Sequence, residues 1–180
     1  MNKQLARIVP AAVLLSFAVI SVSQAAETKE QHERSTAMHA KVGLEQAIAT
    51  VEKSSGGPAI AGQLEYSDGL AFYEITTIAH GERRMSTVNP TTGDIIEQNK
   101  KSRDARRDDD SVKTGALARA VTSAEKAANM GKALEAEYTD TDEVARIRVE
   151  LVRSDHQVQK VDVDANTGRV LKVGDVERVG

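Results

Sequence analysis

The sequence has no cysteine, no tryptophan and only three prolines among its 180 residues. Without cysteine the chain can form no disulfide, and no lipid-accepting thiol can follow an export leader. Aromatic residues make up 3% of the chain, so a core must be built from Val, Ile, Leu and Ala, with Tyr66, Phe72, Tyr73 and Tyr138 as its few large pieces. Catalytic signatures are missing too. No Gly-rich phosphate loop follows a candidate strand, there is no Gly-x-Ser-x-Gly elbow, and no histidine pair has zinc-protease spacing. These absences lead to the expectation that the protein is not an enzyme and binds no cofactor. Basic charge is in short supply as well: 24 Lys and Arg face 27 Asp and Glu. That balance argues against a nucleic-acid binder, which usually shows a basic face.

What is present begins with a leader. Lys3 and Arg7 precede an apolar run from Ile8 to Val22, and Ser23-Gln24-Ala25 supplies small residues at the exit. A basic start, a short apolar stretch and a small-residue exit form a secretory signal peptide. The run is shorter than the roughly 20 residues that span a bilayer. Cleavage is expected after Ala25, with Ala26 as the alternative, giving a periplasmic or secreted bacterial protein with no membrane attachment. Residues 26–40 are polar and carry His32 and His39; they are expected to form a solvated arm or a frayed helix.

The rest reads as two copies of one unit. Leu44, Ala47, Ile48 and Val51 fall at i, i+3, i+4 and i+7, the apolar face of a helix over 43–55 that Gly56-Gly57-Pro58 stops. Strands are predicted over 60–66, 70–79 and 83–88. Ser67-Asp68-Gly69 is a hairpin turn in which Gly69 supplies positive φ. Asn89-Pro90-Thr91-Thr92-Gly93 turns the chain again before Ile95 and Ile96. Residues 99–112 then bury almost nothing: a basic block at Lys100-Lys101-Ser102-Arg103 and Arg106-Arg107 abuts Asp108-Asp109-Asp110. This is a charged linker.

After it the pattern repeats. Thr114 is a candidate N-cap for a helix with the stripe Leu117, Ala120, Val121, Ala124 and Ala128, and Gly131 is a candidate stop. An offset of 73 aligns Leu44 with Leu117, Ile48 with Val121 and Glu52-Lys53 with Glu125-Lys126. Strands follow over 133–138, 144–152 and 158–163, and Asn166-Thr167-Gly168 turns into a last strand at Val170 and Leu171. The expected fold is α+β: two tandem repeats, each a helix packed on a small antiparallel three- to four-stranded sheet. The expected bounds are 1–25 leader, 26–40 arm, 41–98 repeat 1, 99–112 linker, 113–175 repeat 2 and 176–180 tail. Each unit is about 60 residues and marginal alone, so the two are expected to pack together, or one to dock on a partner.

Leu44-Glu45-Gln46-Ala47-Ile48, Phe72-Tyr73-Glu74-Ile75 and Asn89-Pro90-Thr91-Thr92-Gly93-Asp94-Ile95, with Ala145-Arg146-Ile147-Arg148-Val149 and Val161-Asp162-Val163-Asp164-Ala165-Asn166-Thr167-Gly168-Arg169-Val170-Leu171, resemble the PepSY family. This small domain occurs in propeptides of secreted metallopeptidases and in bacterial envelope proteins. The likeness covers most of residues 41–173. In copy 1, Asn89-Pro90 stands where Asp-Ala is usual. The resemblance implies a non-enzymatic module that regulates or inhibits an envelope or secreted peptidase by protein contact. The alternative is a periplasmic adaptor that senses a small ligand or metal for a membrane signalling protein, motivated by four histidines, the acidic linker and export.

Other constellations weigh less. Asp162, Asp164 and Asn166 open like a calcium loop, but Thr167 stands where its Gly belongs and Val173 where its Glu belongs. His80 and His156 occupy equivalent hairpin turns and would make a paired site only if a two-fold brought them together. A partner peptide could add to an exposed sheet edge, with 70–79 or 83–88 as candidates. The sequence assigns no metal ligand, partner-binding residue or oligomeric state.

Overall fold

The computed structural model describes residues 18–100, 112–139 and 145–177, with side chains from Lys29 onward apart from Lys100 and Glu177. The elements in chain order are α1 (Ala18–His39), α2 (Leu44–Ser55), β1 (Ala59–Ser67), β2 (Leu70–Ala79), β3 (Glu82–Val88), β4 (Ile95–Lys100), α3 (Ala116–Ala127), β5 (Lys132–Thr139), β6 (Arg146–Val152), β7 (Val158–Asp164) and β8 (Val170–Glu177). The α+β repeats are present as read, each a helix followed by four strands. Their strands, however, form one continuous eight-stranded antiparallel sheet in the order β4-β3-β2-β1-β5-β6-β7-β8. Two separate small sheets would each leave the first strand with an open edge; pairing β1 with β5 covers the middle of both. The seam is short, with Ala61↔Glu137, Gly62↔Ala136 and Gln63↔Glu135 as its register.

The palindromic strand order and the antiparallel seam relate the repeats by a pseudo-two-fold near the Gly62–Ala136 pair. Both amphipathic helices lie on one face. Leu44, Ala47, Ile48 and Val51 of α2 and Leu117, Ala120, Val121 and Ala124 of α3 are all at most 1% exposed. They meet Ile75, Val88, Ala136, Ile147, Val149, Leu151, Val161 and Val163 from the sheet. Each fully buried Leu, Ile or Val contributes about 1.5–3 kcal/mol. Of the four aromatics expected in the core, only Tyr73 is fully buried, and its hydroxyl donates to the Val42 carbonyl at 2.9 Å. Tyr66, Phe72 and Tyr138 are half-buried. Phe72 alternates with Tyr73 and so lies on the face away from α2.

Three local expectations need correction. Of the two readings of the polar segment 26–40, the helix is the one observed and the solvated arm is not: up to His39 it is the C-terminal part of α1, with Ala37 in the core and Met38 packed against it. Its polar sequence concealed this because, among the described side chains of the segment, the core holds Ala37 and, packed against it, Met38. The N-cap of α3 is Gly115, not Thr114, and it has φ 78° and no side-chain cap. The cap comes from the other repeat: Glu52 of α2 accepts the Gly115 N–H at 3.0 and 3.2 Å through its two carboxylate oxygens. After α3 the left-handed turn is made by Asn129 and Met130, with φ of 53° and 63°, rather than by Gly131. Gly131 serves close approach instead, since a Cβ there would lie 3.1 Å from the Val152 carbonyl.

Glu52 and its aligned partner Glu125 do the same local work. Each reaches from its helix to the start of the following β1 or β5: Ala59 N–H donates to Glu52 Oε1 at 2.9 Å, and Ala133 N–H donates to Glu125 Oε1 at 3.1 Å. Burial raises both carboxyl pKa values above the ordinary range, and these hydrogen bonds oppose the rise. The Glu45 carboxylate, whose Oε2 is buried without a hydrogen-bond partner, adds to the rise at Glu125.

Candidate functional site

The two Thr-Gly turns are near-identical structures built from different residues. In the first, Asn89 Oδ1 accepts the N–H of Thr91 at 2.8 Å and of Thr92 at 3.2 Å, and Asp94 N–H donates to Thr92 Oγ1 at 3.3 Å. In the second, Asp164 Oδ1 accepts the N–H of Asn166 at 2.9 Å and of Thr167 at 2.8 Å, and Arg169 N–H donates to Thr167 Oγ1 at 3.3 Å. Gly93 and Gly168 supply φ of 79° and 74°. Asn replaces Asp at no geometric cost because either side chain offers the acceptor oxygen that an Asx turn needs. Gly69, in the β1–β2 hairpin, has φ 79° beside Asp68 at 52°.

This geometry accounts for the calcium-like run. Asp164 spends Oδ1 on backbone N–H groups, which hold its pKa below the usual value. Asp162 Oδ1 accepts from Arg148 Nε at 3.0 Å, and Asn166 Oδ1 accepts from Lys113 Nζ at 3.2 Å. Among the described residues no group of three or more His, Asp or Glu is placed to hold a metal.

The paired-histidine idea fails on topology. His80 turns β2 into β3 and His156 turns β6 into β7, at φ of 56° and 62°. β2 and β6 are separated by the antiparallel pair β1 and β5, so these hairpins project from opposite ends of the sheet. His32 instead stacks on Tyr66 with ring centroids 4.5 Å apart, and the imidazole of His39 bonds the Ser35 carbonyl at 2.8 Å through Nδ1.

The edge assignment also changes. Strands 70–79 and 83–88 are interior, flanked on both sides; the outer edges are β4 and β8. They were not legible because which strand is last depends on pairing, not on local pattern. The β8 edge carries Leu171 and Val173 at 37% and 44% exposure, and β4 carries Ile96 at 62%.

On the face opposite α2 and α3, residues of α1 and the sheet border a half-open cavity of about 430 Å³. Lys29, Glu33 and Arg34 line it from above, and Gln63, Glu65, Glu135 and Glu150 line it from the sheet. Glu135 and Glu150 stand directly opposite in the β5–β6 register, an unfavourable like-charge pair. Lys160 Nζ lies 3.7 Å from Glu150 and offsets part of this. Burial pushes the Glu135 pKa up, and the neighbouring carboxylates of Glu137, Glu150 and Glu65 push it further. Burial likewise raises Glu33, against the pull of Lys29. The sequence reading missed this cavity, whose residues come from five separate elements.

The expected cleavage residue Ala25 falls within α1. Residues 101–111 of the expected linker, including Arg106, Arg107 and Asp108 to Asp110, lie outside the described residues, whereas Asn99 and Lys100 complete β4. β8 extends to Glu177, into the expected tail.

The family model described as "Peptidase propeptide and YPEB domain" matches residues 41–99 and 116–173, more than half of the chain. The chain belongs to the PepSY family. Its two PepSY units are the two halves of the eight-stranded sheet, and the Asx-Thr-Gly turns close each unit at the start of β4 and β8. No curated protein matches this PepSY chain in sequence. Among solved structures, one provisionally described as a lipoprotein of Clostridium difficile 630 shares 18% identity, with a TM-score of 0.44 over 77% of this chain and 95% of its own. Another, provisionally described as a periplasmic protein of Bacteroides eggerthii DSM 20697, shares 11% identity, with a TM-score of 0.27 over 73% and 86%. Among the described residues no helix is long and apolar enough to cross a membrane.

Proposed function

We propose that this tandem PepSY protein is an exported, non-enzymatic binding module that regulates or inhibits an envelope or secreted peptidase by protein contact. The observation that carries the reading is the pair of open sheet edges, β4 and β8, in a chain whose family description includes peptidase propeptides. An edge strand offers a row of unpaired backbone groups to which a peptidase loop can add, and alternate side chains supply selectivity. β8 is the better edge, since Leu171 and Val173 expose apolar surface there. The leader read at residues 1–25 supports a periplasmic or secreted location.

The test is a crosslinked pull-down from native periplasmic extract with residues 26–180 as bait. A peptidase or its precursor is the expected capture, and excess purified protein is expected to change that peptidase's activity. Capture of a membrane signalling protein instead, or no effect on any captured peptidase, would overturn the reading. The first of these results would favour the ligand- or metal-sensing adaptor.

A further inference from the structure

α1 is held to the sheet in two unlike ways. Near its C-terminal end, Ala37 is 4% exposed within the core and Met38 packs against the same cluster. Over residues 29–34 the attachments are polar or aromatic. Lys29 Nζ donates to Glu65 Oε2 at 2.7 Å, the Tyr66 N–H donates to Glu33 Oε1 at 3.2 Å, and His32 stacks on Tyr66. The Lys29 side chain is 46% exposed and Glu65 26%, so salt screens their attraction. Beneath this part of the helix lies the half-open 430 Å³ cavity.

The sheet beneath is also unfinished. β1 pairs with β5 only through Ala61–Gln63, yet it runs on to Ser67 with β2 alone beside it. There the strands of the two repeats diverge. On this diverging edge the Tyr66 N–H goes to a side-chain carboxylate from α1. Glu33 thus holds the place that the carbonyl of an added strand would take.

We propose that residues 29–36 of α1 form a strap that lifts reversibly off the sheet while Ala37 and Met38 stay seated, opening the cavity and baring the inner edge of β1 at Leu64–Ser67. Once the leader is removed these residues are the first turns of the helix, where local opening begins. The inference does not depend on the peptidase reading.

Residue-resolved amide hydrogen exchange on the exported protein tests it, at about 0.05 M and about 0.5 M salt, which shortens the screening length severalfold. The Tyr66 amide reports the strap and the Ile75 amide, deep in the sheet, reports global unfolding. Tyr66 is expected to exchange faster than Ile75, and to speed up about threefold to tenfold at the higher salt, as weak exposed pairs predict. Lys29→Ala is expected to bring the low-salt Tyr66 rate to its high-salt value while leaving Ile75 unchanged. Lys29 Nζ also lies 3.4 Å from Glu33 Oε1; Glu33→Gln keeps an oxygen for the Tyr66 amide but loses this second ion pair, and is expected to act in the same direction. Tyr66 and Ile75 exchanging at one rate, with neither salt nor Lys29→Ala separating them, would mean that α1 leaves only when the whole protein unfolds, and would overturn the proposal.

Discussion

Replacing Glu52 by alanine should cost far more stability than the same change at Glu125, although the two residues are repeat equivalents. Glu52 is 5% exposed and satisfies two backbone donors, Ala59 N–H in its own repeat and Gly115 N–H in the other. Glu125 satisfies one, Ala133 N–H, and it also feels the Glu45 carboxylate. A buried donor left without its acceptor costs about 1–3 kcal/mol. Two orphaned donors amount to about 2–6 kcal/mol, and because a buried carboxylate no longer has to be desolvated, Glu52→Ala is put at about 2–5 kcal/mol. Glu125→Ala orphans one donor and relieves the repulsion with Glu45, so about 1 kcal/mol is expected. Equilibrium urea unfolding of both variants, with far-UV circular dichroism as the probe, measures the difference from the midpoint and slope fitted separately to each curve. Because Glu52 joins α2 to the start of α3, its loss should also loosen coupling between the repeats, seen as a lower slope or a second transition. Equal costs for the two variants, or a Glu52→Ala cost under about 1 kcal/mol with one sharp transition, would refute the view that Glu52 is the cap of α3.

Two further outcomes follow from the same geometry. Glu33, Glu52, Glu125 and Glu135 are all raised above the ordinary glutamate value, with burial the first cause in each. The folded state therefore holds protons that the unfolded chain releases, so this contribution is full below the ordinary glutamate pKa and is lost as pH rises through the raised values. Unfolding midpoints from about pH 4.5 to 7.5 should show stability falling across that window, and Glu125→Gln should flatten the fall; a rise over the same range would contradict the assignment. Gly57→Ala places a Cβ 1.9 Å from the Ile78 carbonyl oxygen, a backbone atom that cannot swing aside. A cost of about 3 kcal/mol or more is expected, read as loss of the cooperative thermal transition, and an unchanged midpoint would show that the α2–β1 connection has slack.

Residue order alone determined the local structure. The spacing of Leu44, Ala47, Ile48 and Val51, repeated at Leu117, Ala120, Val121 and Ala124, specifies α2 and α3, because helical periodicity is a property of neighbours in sequence. The Asn89–Gly93 and Asp164–Gly168 turns are likewise legible, since each is closed by its own side chains within five residues. Alternation along β6, with Ile147, Val149 and Leu151 inward, set its buried face. What tertiary structure decided is everything that depends on pairing between distant segments. The fusion of two sheets through Ala61–Gln63 and Glu135–Glu137, and so the choice of β4 and β8 as outer edges, is a competition among strands with similar patterns. The capping of α3 by Glu52 spans 63 residues and leaves no local mark. Among its described side chains, α1 is seated through Ala37, Met38 and a few polar contacts, too sparse a pattern to stand out from a solvated segment until the sheet it covers exists.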